Sequence, residues 1–199
     1  MIGLSMNIID LVKQNFTQSI ETKQNAQAAL AEPITRAIEL IVEAFSSGHK
    51  MLICGNGGSA ADAQHFAAEF TGRYEMERTP LPAVALTTDT SALTAIGNDY
   101  GFDVVFSKQV EALGQAGDIL YAISTSGNSL NVLKAMEVAK ARGMNIIIMV
   151  GRDGGKMAKL LSDSDVNLCV PAERTARIQE VHLLTLHTIC DGVDTVMFK

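Results

Sequence analysis

Met51-Leu52-Ile53-Cys54-Gly55-Asn56-Gly57-Gly58-Ser59 is an apolar run that ends in a loop of small residues. An amphipathic segment from Ala60 to Glu69 follows it. The same order returns downstream, where Ile119-Leu120-Tyr121-Ala122-Ile123 leads into Ser124-Thr125-Ser126-Gly127-Asn128-Ser129 and then into Leu130–Arg142. A fully apolar run, a tight loop and a helical pattern together read as strand, turn and helix of a parallel sheet buried on both faces. In such folds ligands bind beyond the carboxyl ends of the strands, where both loops lie.

Working outward, the spacing predicts strands at Met51–Cys54, Ala83–Leu86, Ile119–Ile123, Asn145–Val150 and Val166–Val170. Helices are expected at Ala60–Glu69, Ser91–Ile96, Ser107–Leu113, Leu130–Arg142, Met157–Leu161 and Thr175–Phe198. Before this core, Ile8, Leu11, Val12, Phe16 and Ile20 recur at helical spacing and read as a core stripe, with an intersubunit contact as the alternative for part of it. Pro33 suits the first turn of a second helix, in which Ile34, Ile38, Ile41, Val42 and Phe45 form a stripe ending near Gly48. The expected fold is α/β: a parallel β-sheet flanked by helices on both faces, a three-layer sandwich. It forms one domain over residues 1–199, with N-terminal helices to about 48 and the α/β core from about 50. A third glycine-bearing segment, Gly151-Arg152-Asp153-Gly154-Gly155-Lys156, follows the fourth strand.

Composition narrows the class. The 199 residues are 47% hydrophobic and 19% charged, which favours burial, including burial in an oligomer. The formal net charge is -6 and no dense Lys/Arg cluster occurs, so electrostatic binding of nucleic acid is not expected. Three cysteines, Cys54, Cys169 and Cys190, lack any metal-finger spacing. Cys54 and Cys169 lie in apolar strand-like runs and are expected as buried free thiols, consistent with a reducing cytoplasm. The chain shows neither a signal-peptide pattern nor an apolar run of membrane-spanning length.

The two loops differ in what they offer. Gly55–Ala60 fits the dinucleotide pattern GxGxxG/A, but no acidic residue is cleanly placed at the next strand end, although Asp89 lies near, and no Gly-Lys-Ser/Thr follows. A plain strand-to-helix turn is the competing interpretation. In the second loop Ser124, Thr125, Ser126 and Ser129 bring four hydroxyls into six residues, and Gly127 admits close backbone approach. Ser129 also suits a helix N-cap, but capping accounts for one hydroxyl, not four. Amides, hydroxyls and a helix N-terminus together suit a phosphate, so a phosphorylated small molecule is the expected ligand.

Acid/base and metal candidates sit on the helices. His65 and Glu69 are spaced i,i+4 and share a face, as a surface polar pair also would. On the last helix, Glu180 and His187 fall nearly on one stripe, Gln179 lies about 80° from His187, and His182 points away. Periodicity alone pairs Glu180 with His187 and leaves the choice among these residues open.

The ordered motifs CGNGGS, AQHFAAEFTGRY, GNDYGF, AISTSGNS, GRDGGKMA and RIQEVHLLTLH resemble, over nearly the whole chain, the sugar-isomerase-type domain of the phosphoheptose isomerase family. The resemblance implies that Ser59 and the Ser124–Ser129 loop (Ser124, Thr125, Ser126 and Ser129) hold a substrate phosphate. It implies that Asn56, Gly57, Gly58, Asn98 and Asp99 line a sugar site, with Glu69 as general base and His187 as its acid/base partner. It also implies one zinc per subunit at His65, Glu69, Gln179 and His187, with Gln179 at the substrate. The implied assembly is a homotetramer with active sites at subunit contacts. A relative with the same fold, the DnaA initiator-associating protein, resembles Ala83–Thr94 and Leu183–Asp191 equally well. That relative lacks the catalytic carboxylate and the final histidine, whereas this chain carries Glu69 and His187. DnaA binding without turnover is therefore the alternative function, and nicotinamide dinucleotide binding rests on the glycine match alone.

Overall fold

Each of the five apolar runs forms a strand of one parallel sheet. The computed structural model describes residues 7–199, so the first six residues of the expected N-terminal region lie outside it. Along the chain come α1 (Ile8–Ser46), β1 (Met51–Gly55), α2 (Gly58–Thr71), β2 (Ala83–Ala85), α3 (Thr90–Tyr100), a single 3-10 turn (Phe102–Val104) and α4 (Val105–Leu113). Then follow β3 (Ile119–Ser124), α5 (Leu130–Ala141), β4 (Asn145–Gly151), α6 (Gly155–Lys159), β5 (Val166–Val170) and α7 (Thr175–Phe198). The helices start and stop within a few residues of the expected bounds. The largest extensions are α3, which runs on to Tyr100, and α2, which starts at Gly58 because Gly57 takes the N-cap position.

Strand order is β2-β1-β3-β4-β5, all parallel. Alternation divides the core. Met51, Ile53, Ile119, Tyr121, Ile147 and Met149 face α1, α2 and α7. Leu52, Cys54, Leu120, Ala122, Ile146 and Ile148 face α4, α5 and α6. The chain after β1 therefore crosses to one face and the chain after β3 to the other. This divergence opens a crevice between the carboxyl ends of β1 and β3, the switch point of a doubly wound sheet.

The N-terminal region departs from expectation. Pro33 does not begin a second helix; it lies inside one helix of 39 residues. A proline in a helix interior costs about 3 kcal/mol. Packing on both sides of it holds the axis: Ala26 and Leu30 seat against Val170, Ile178 and Val181, while Ala37, Ile41, Ala44 and Phe45 enter the main core. Each buried large side chain returns about 1.5–3 kcal/mol.

The first stripe is not core either. Ile8 is 78% exposed and Phe16 69%, and Leu11, Val12 and Ile20 are exposed too. A helix of 39 residues is about 58 Å long, whereas the seven-residue β4 spans about 23 Å, so α1 overruns the sheet.

Cys54 and Cys190 are buried free thiols, and burial pushes Cys54 up to about 12. Cys169 is only half-buried, because it faces the edge beside Arg152, whose carbonyl accepts from its thiol at 3.4 Å. Among the described residues no helix is long and apolar enough to cross a membrane.

Candidate active site

The crevice is built from the two loops and knitted by one side-chain pair. Asn56, at the end of β1, and Asn131, in the first turn of α5, exchange two amide hydrogen bonds at 2.8 and 2.9 Å. Asn131 is buried. Its position two residues past the serine-rich loop was the available signal in the sequence, and the pairing itself joins residues 75 apart.

Neither helix entering the crevice has a side-chain cap. Gly57 holds the N-cap position of α2 and Ser129 that of α5, and neither caps with a side chain. The Ser129 hydroxyl instead lies 3.0 Å from that of Ser124, so the expected capping bond is replaced by a hydroxyl pair across the loop. The first amides of α5 thus lack both an intrahelical carbonyl and a capping oxygen, which makes them donors for an anion. Ser59 is buried in the first turn of α2, and Thr125 and Ser126 are half-buried in the second loop.

A third segment braces that loop. Gly127 has φ +63 and abuts the carbonyl of Gly154. Met157 donates its amide to the Gly127 carbonyl at 3.0 Å, and Lys156 donates its amide to Asn128 Oδ1 at 3.1 Å. The loop after β4 therefore acts as a backstop for the loop after β3.

Farther along α2 stands a cluster of three side chains. His65 Nε2 lies 2.9 Å from His187 Nε2 and 3.2 Å from Glu69 Oε1. One donor atom from each of the three lies within 4.8 Å of the others. Two imidazole nitrogens facing at 2.9 Å repel as bare lone pairs, so a proton or a cation belongs between them. A tetrahedral ion with bonds near 2.1 Å holds its ligand atoms about 3.4 Å apart, close to the spacing here. The Tyr74 ring leans on His187 with centroids 5.7 Å apart, a neighbour that the TGRY motif contained but did not declare.

The remaining expected residues divide. Gln179 is on α7, its side chain pressed against Gly58 at the start of α2. It thus borders the first loop, eight residues before His187. Glu180 does not pair with His187: it accepts from Ser19 at 2.6 Å and pairs with Arg177 at 3.0 Å. The wheel placed it on the right stripe, but at that height α1 is the neighbour. Asn98 and Asp99 sit exposed on α3, where the Asn98 amide donates to Asp99 at 2.9 Å. His182 is fully buried and hydrogen-bonded to the Val150 carbonyl at 3.2 Å, and burial lowers it to about 4.

These features match known proteins. A family model described as the SIS domain matches residues 14–151. The phosphoheptose isomerase of Shewanella loihica is 59% identical over 191 residues, covering 96% of this chain and 97% of that one. The structure of phosphoheptose isomerase from Neisseria gonorrhoeae superposes with a TM-score of 0.91 at 58% identity, covering 95% of this chain and all of that one. A phosphoheptose isomerase from Francisella tularensis gives a TM-score of 0.93 at 43% identity, covering 96% and 100%. With sequence, fold and nearly full-length coverage in agreement, the chain belongs to the phosphoheptose isomerase family.

Proposed function

We propose that the protein interconverts sedoheptulose 7-phosphate and D-glycero-D-manno-heptose 7-phosphate, an early step toward the heptoses of lipopolysaccharide or another surface glycan. The observation that carries this reading is the Glu69–His65–His187 cluster in a chain 59% identical to phosphoheptose isomerases. The comparisons lend no support to DnaA binding, and the retained Glu69 and His187 favour turnover. The whole chain works as one SIS domain, with α1 as its N-terminal extension.

Ser59 and the hydroxyls of Ser124, Thr125, Ser126 and Ser129 take the substrate phosphate, helped by the free amides that open α5. Asn56, Gly57, Gly58, Asn98, Asp99 and Gln179 line the sugar site. The ketose has its carbonyl at C2 and its transferable proton at C1. Glu69 removes the C1 proton to give a cis-enediol and returns it to C2, and His187 carries the hydroxyl proton from O1 to O2. Oε1 of Glu69 faces His65, so its second oxygen is the acceptor for carbon-bound protons.

His65, Glu69 and His187, joined by Gln179, would hold one zinc per subunit. Two imidazoles and a carboxylate are ordinary donors for that ion. When bound, zinc polarises the sugar carbonyl as a Lewis acid.

The exposed apolar stripe on α1 supports a homotetramer with active sites at subunit contacts. Beside it lies an apolar groove of about 470 Å³ between α1 and α7, lined by Ile20, Leu30, Val181 and Leu184. The setting is the cytoplasm, where three free cysteines stay reduced. The test is turnover of sedoheptulose 7-phosphate, with and without added zinc, by the wild type, Glu69→Gln and His187→Ala. Each variant is expected to lose about 10²–10⁴-fold in kcat. Wild-type turnover in both variants would overturn the assignment.

A further inference from the structure

The Arg78 side chain is 1% exposed and bonded in three directions. Its Nη2 donates to the Glu69 carbonyl at 2.8 Å. Its Nη1 donates to the carbonyls of Phe70 at 2.8 Å and of Gly72 and Thr79 at 3.2 Å. Its Nε donates at 2.8 Å to Asp194, which is 3% exposed on α7. The last carbonyls of a helix lack intrahelical donors, so the guanidinium caps α2 at the turn that carries Glu69. Asp194 lies seven residues, two turns, beyond His187. The segment that Arg78 closes, from Gly72 to Thr79, also carries Tyr74, whose ring leans on His187.

A buried ion pair is a poor device for stability alone, since desolvation offsets most of the attraction. This pair is not even arranged for the strongest attraction. Asp194 Oδ2 is buried without a partner, because the other Arg78 donors serve the main chain rather than the carboxylate. The arrangement gives up a bidentate contact and gains a fixed distance between the end of α2 and α7.

We propose that Arg78 and Asp194 are positioning residues that hold Glu69 in register with His187. This inference rests on the isomerase reading above. Arg78 touches neither donor cluster nor phosphate loop; it acts through the backbone of Glu69.

The test compares the wild type with two variants. Arg78→Met/Asp194→Leu replaces the pair by apolar groups of similar size, the exchange that buried ion pairs tolerate best. Arg78→Lys keeps the charge on Asp194 but lacks the planar fork that reaches the α2 carbonyls. Both variants are expected to lose kcat by about 100-fold, the usual penalty of a 1 Å misplacement. KM is expected to hold within about twofold, because the phosphate loops lie at the opposite end of α2. In a Glu69→Gln background Arg78→Lys is expected to cost nothing further. A folded variant with wild-type kcat, or equal losses with and without Glu69, overturns the proposal. A crystal structure of either variant reads the geometry without turnover. Separation of the Glu69 and His187 donor atoms beyond 4.8 Å supports the clamp, and an unchanged cluster overturns it. If the wild type itself fails to turn over the sugar, the functional reading falls and the crystallographic arm still decides the clamp.

Discussion

Replacing Gly127 by alanine tests whether the backstop behind the second loop is rigid. Gly127 has φ +63, and a Cβ there would collide with the Gly154 carbonyl and lie 3.0 Å from the Gly155 amide. Both obstacles are backbone, so neither can rotate aside. The left-handed conformation costs an alanine about 1–2 kcal/mol. Forcing an extra carbon into a filled space adds about 1–3 kcal/mol. Gly127→Ala should therefore lose roughly 2–5 kcal/mol of stability. Gly48→Ala is the control: its φ is +79 but nothing lies within 4 Å of the new carbon, so only the backbone penalty applies. The gain from a stiffer unfolded chain is common to both and cancels in the difference. Urea unfolding gives that difference, expected near 1–3 kcal/mol. Steady-state kinetics should show a raised KM for the sugar phosphate in Gly127→Ala alone, since the loop proposed to hold the phosphate is what moves. Equal stability of the two variants, with unchanged KM, would refute the argument that the loops are packed backbone to backbone.

Asn131→Ala leaves the Asn56 amide without either of its two partners in a part-buried site and should cost about 1–3 kcal/mol, read by thermal or urea unfolding. His182 is fully buried and lowered to about 4 by desolvation, with the Val150 hydrogen bond opposing. Its folded value lies below the unfolded one, so the stability it contributes is present above about pH 6.5 and lost as pH falls through about 4, some 3 kcal/mol in all. Urea midpoints between pH 7 and pH 4 should fall steeply in the wild type and flatten in His182→Gln.

The strands were legible because a parallel sheet covered on both faces demands unbroken apolar runs, and Met51–Cys54 and Ile119–Ile123 are such runs. The loops were legible because glycines and hydroxyls cluster where a strand must turn into a helix. The order β2-β1-β3 was not, since pairing depends on which runs meet and not on their composition. Pro33 misled because propensity describes an isolated helix, whereas packing on either side carried α1 through it. The stripe at Ile8–Ile20 has true helical period, but periodicity reports an apolar face and not what covers it. The His65–Glu69 pair followed from i,i+4 spacing. The partnership of His65 with His187 spans 122 residues and follows only from the packing of α2 on α7.

That packing explains why His187, and not Glu180, completes the cluster. Gly58 meets Gln179, His65 meets His187, and Arg78, fixed to the Glu69 and Phe70 carbonyls, meets Asp194. The α2 contacts advance by seven and then four to five residues, and those on α7 by eight and then seven. The two helices therefore run in the same direction and touch at both ends. At the first contact the absence of a Cβ on Gly58 lets the Gln179 amide sit against the α2 backbone. At the last, a buried guanidinium fixes the spacing. A pair of helices held at each end has little freedom to slide, so the middle contact, where Glu69, His65 and His187 converge, inherits its geometry from the contacts on either side of it. Glu180 lies too near the start of α7 to share in it; at that height α1 supplies Ser19 instead.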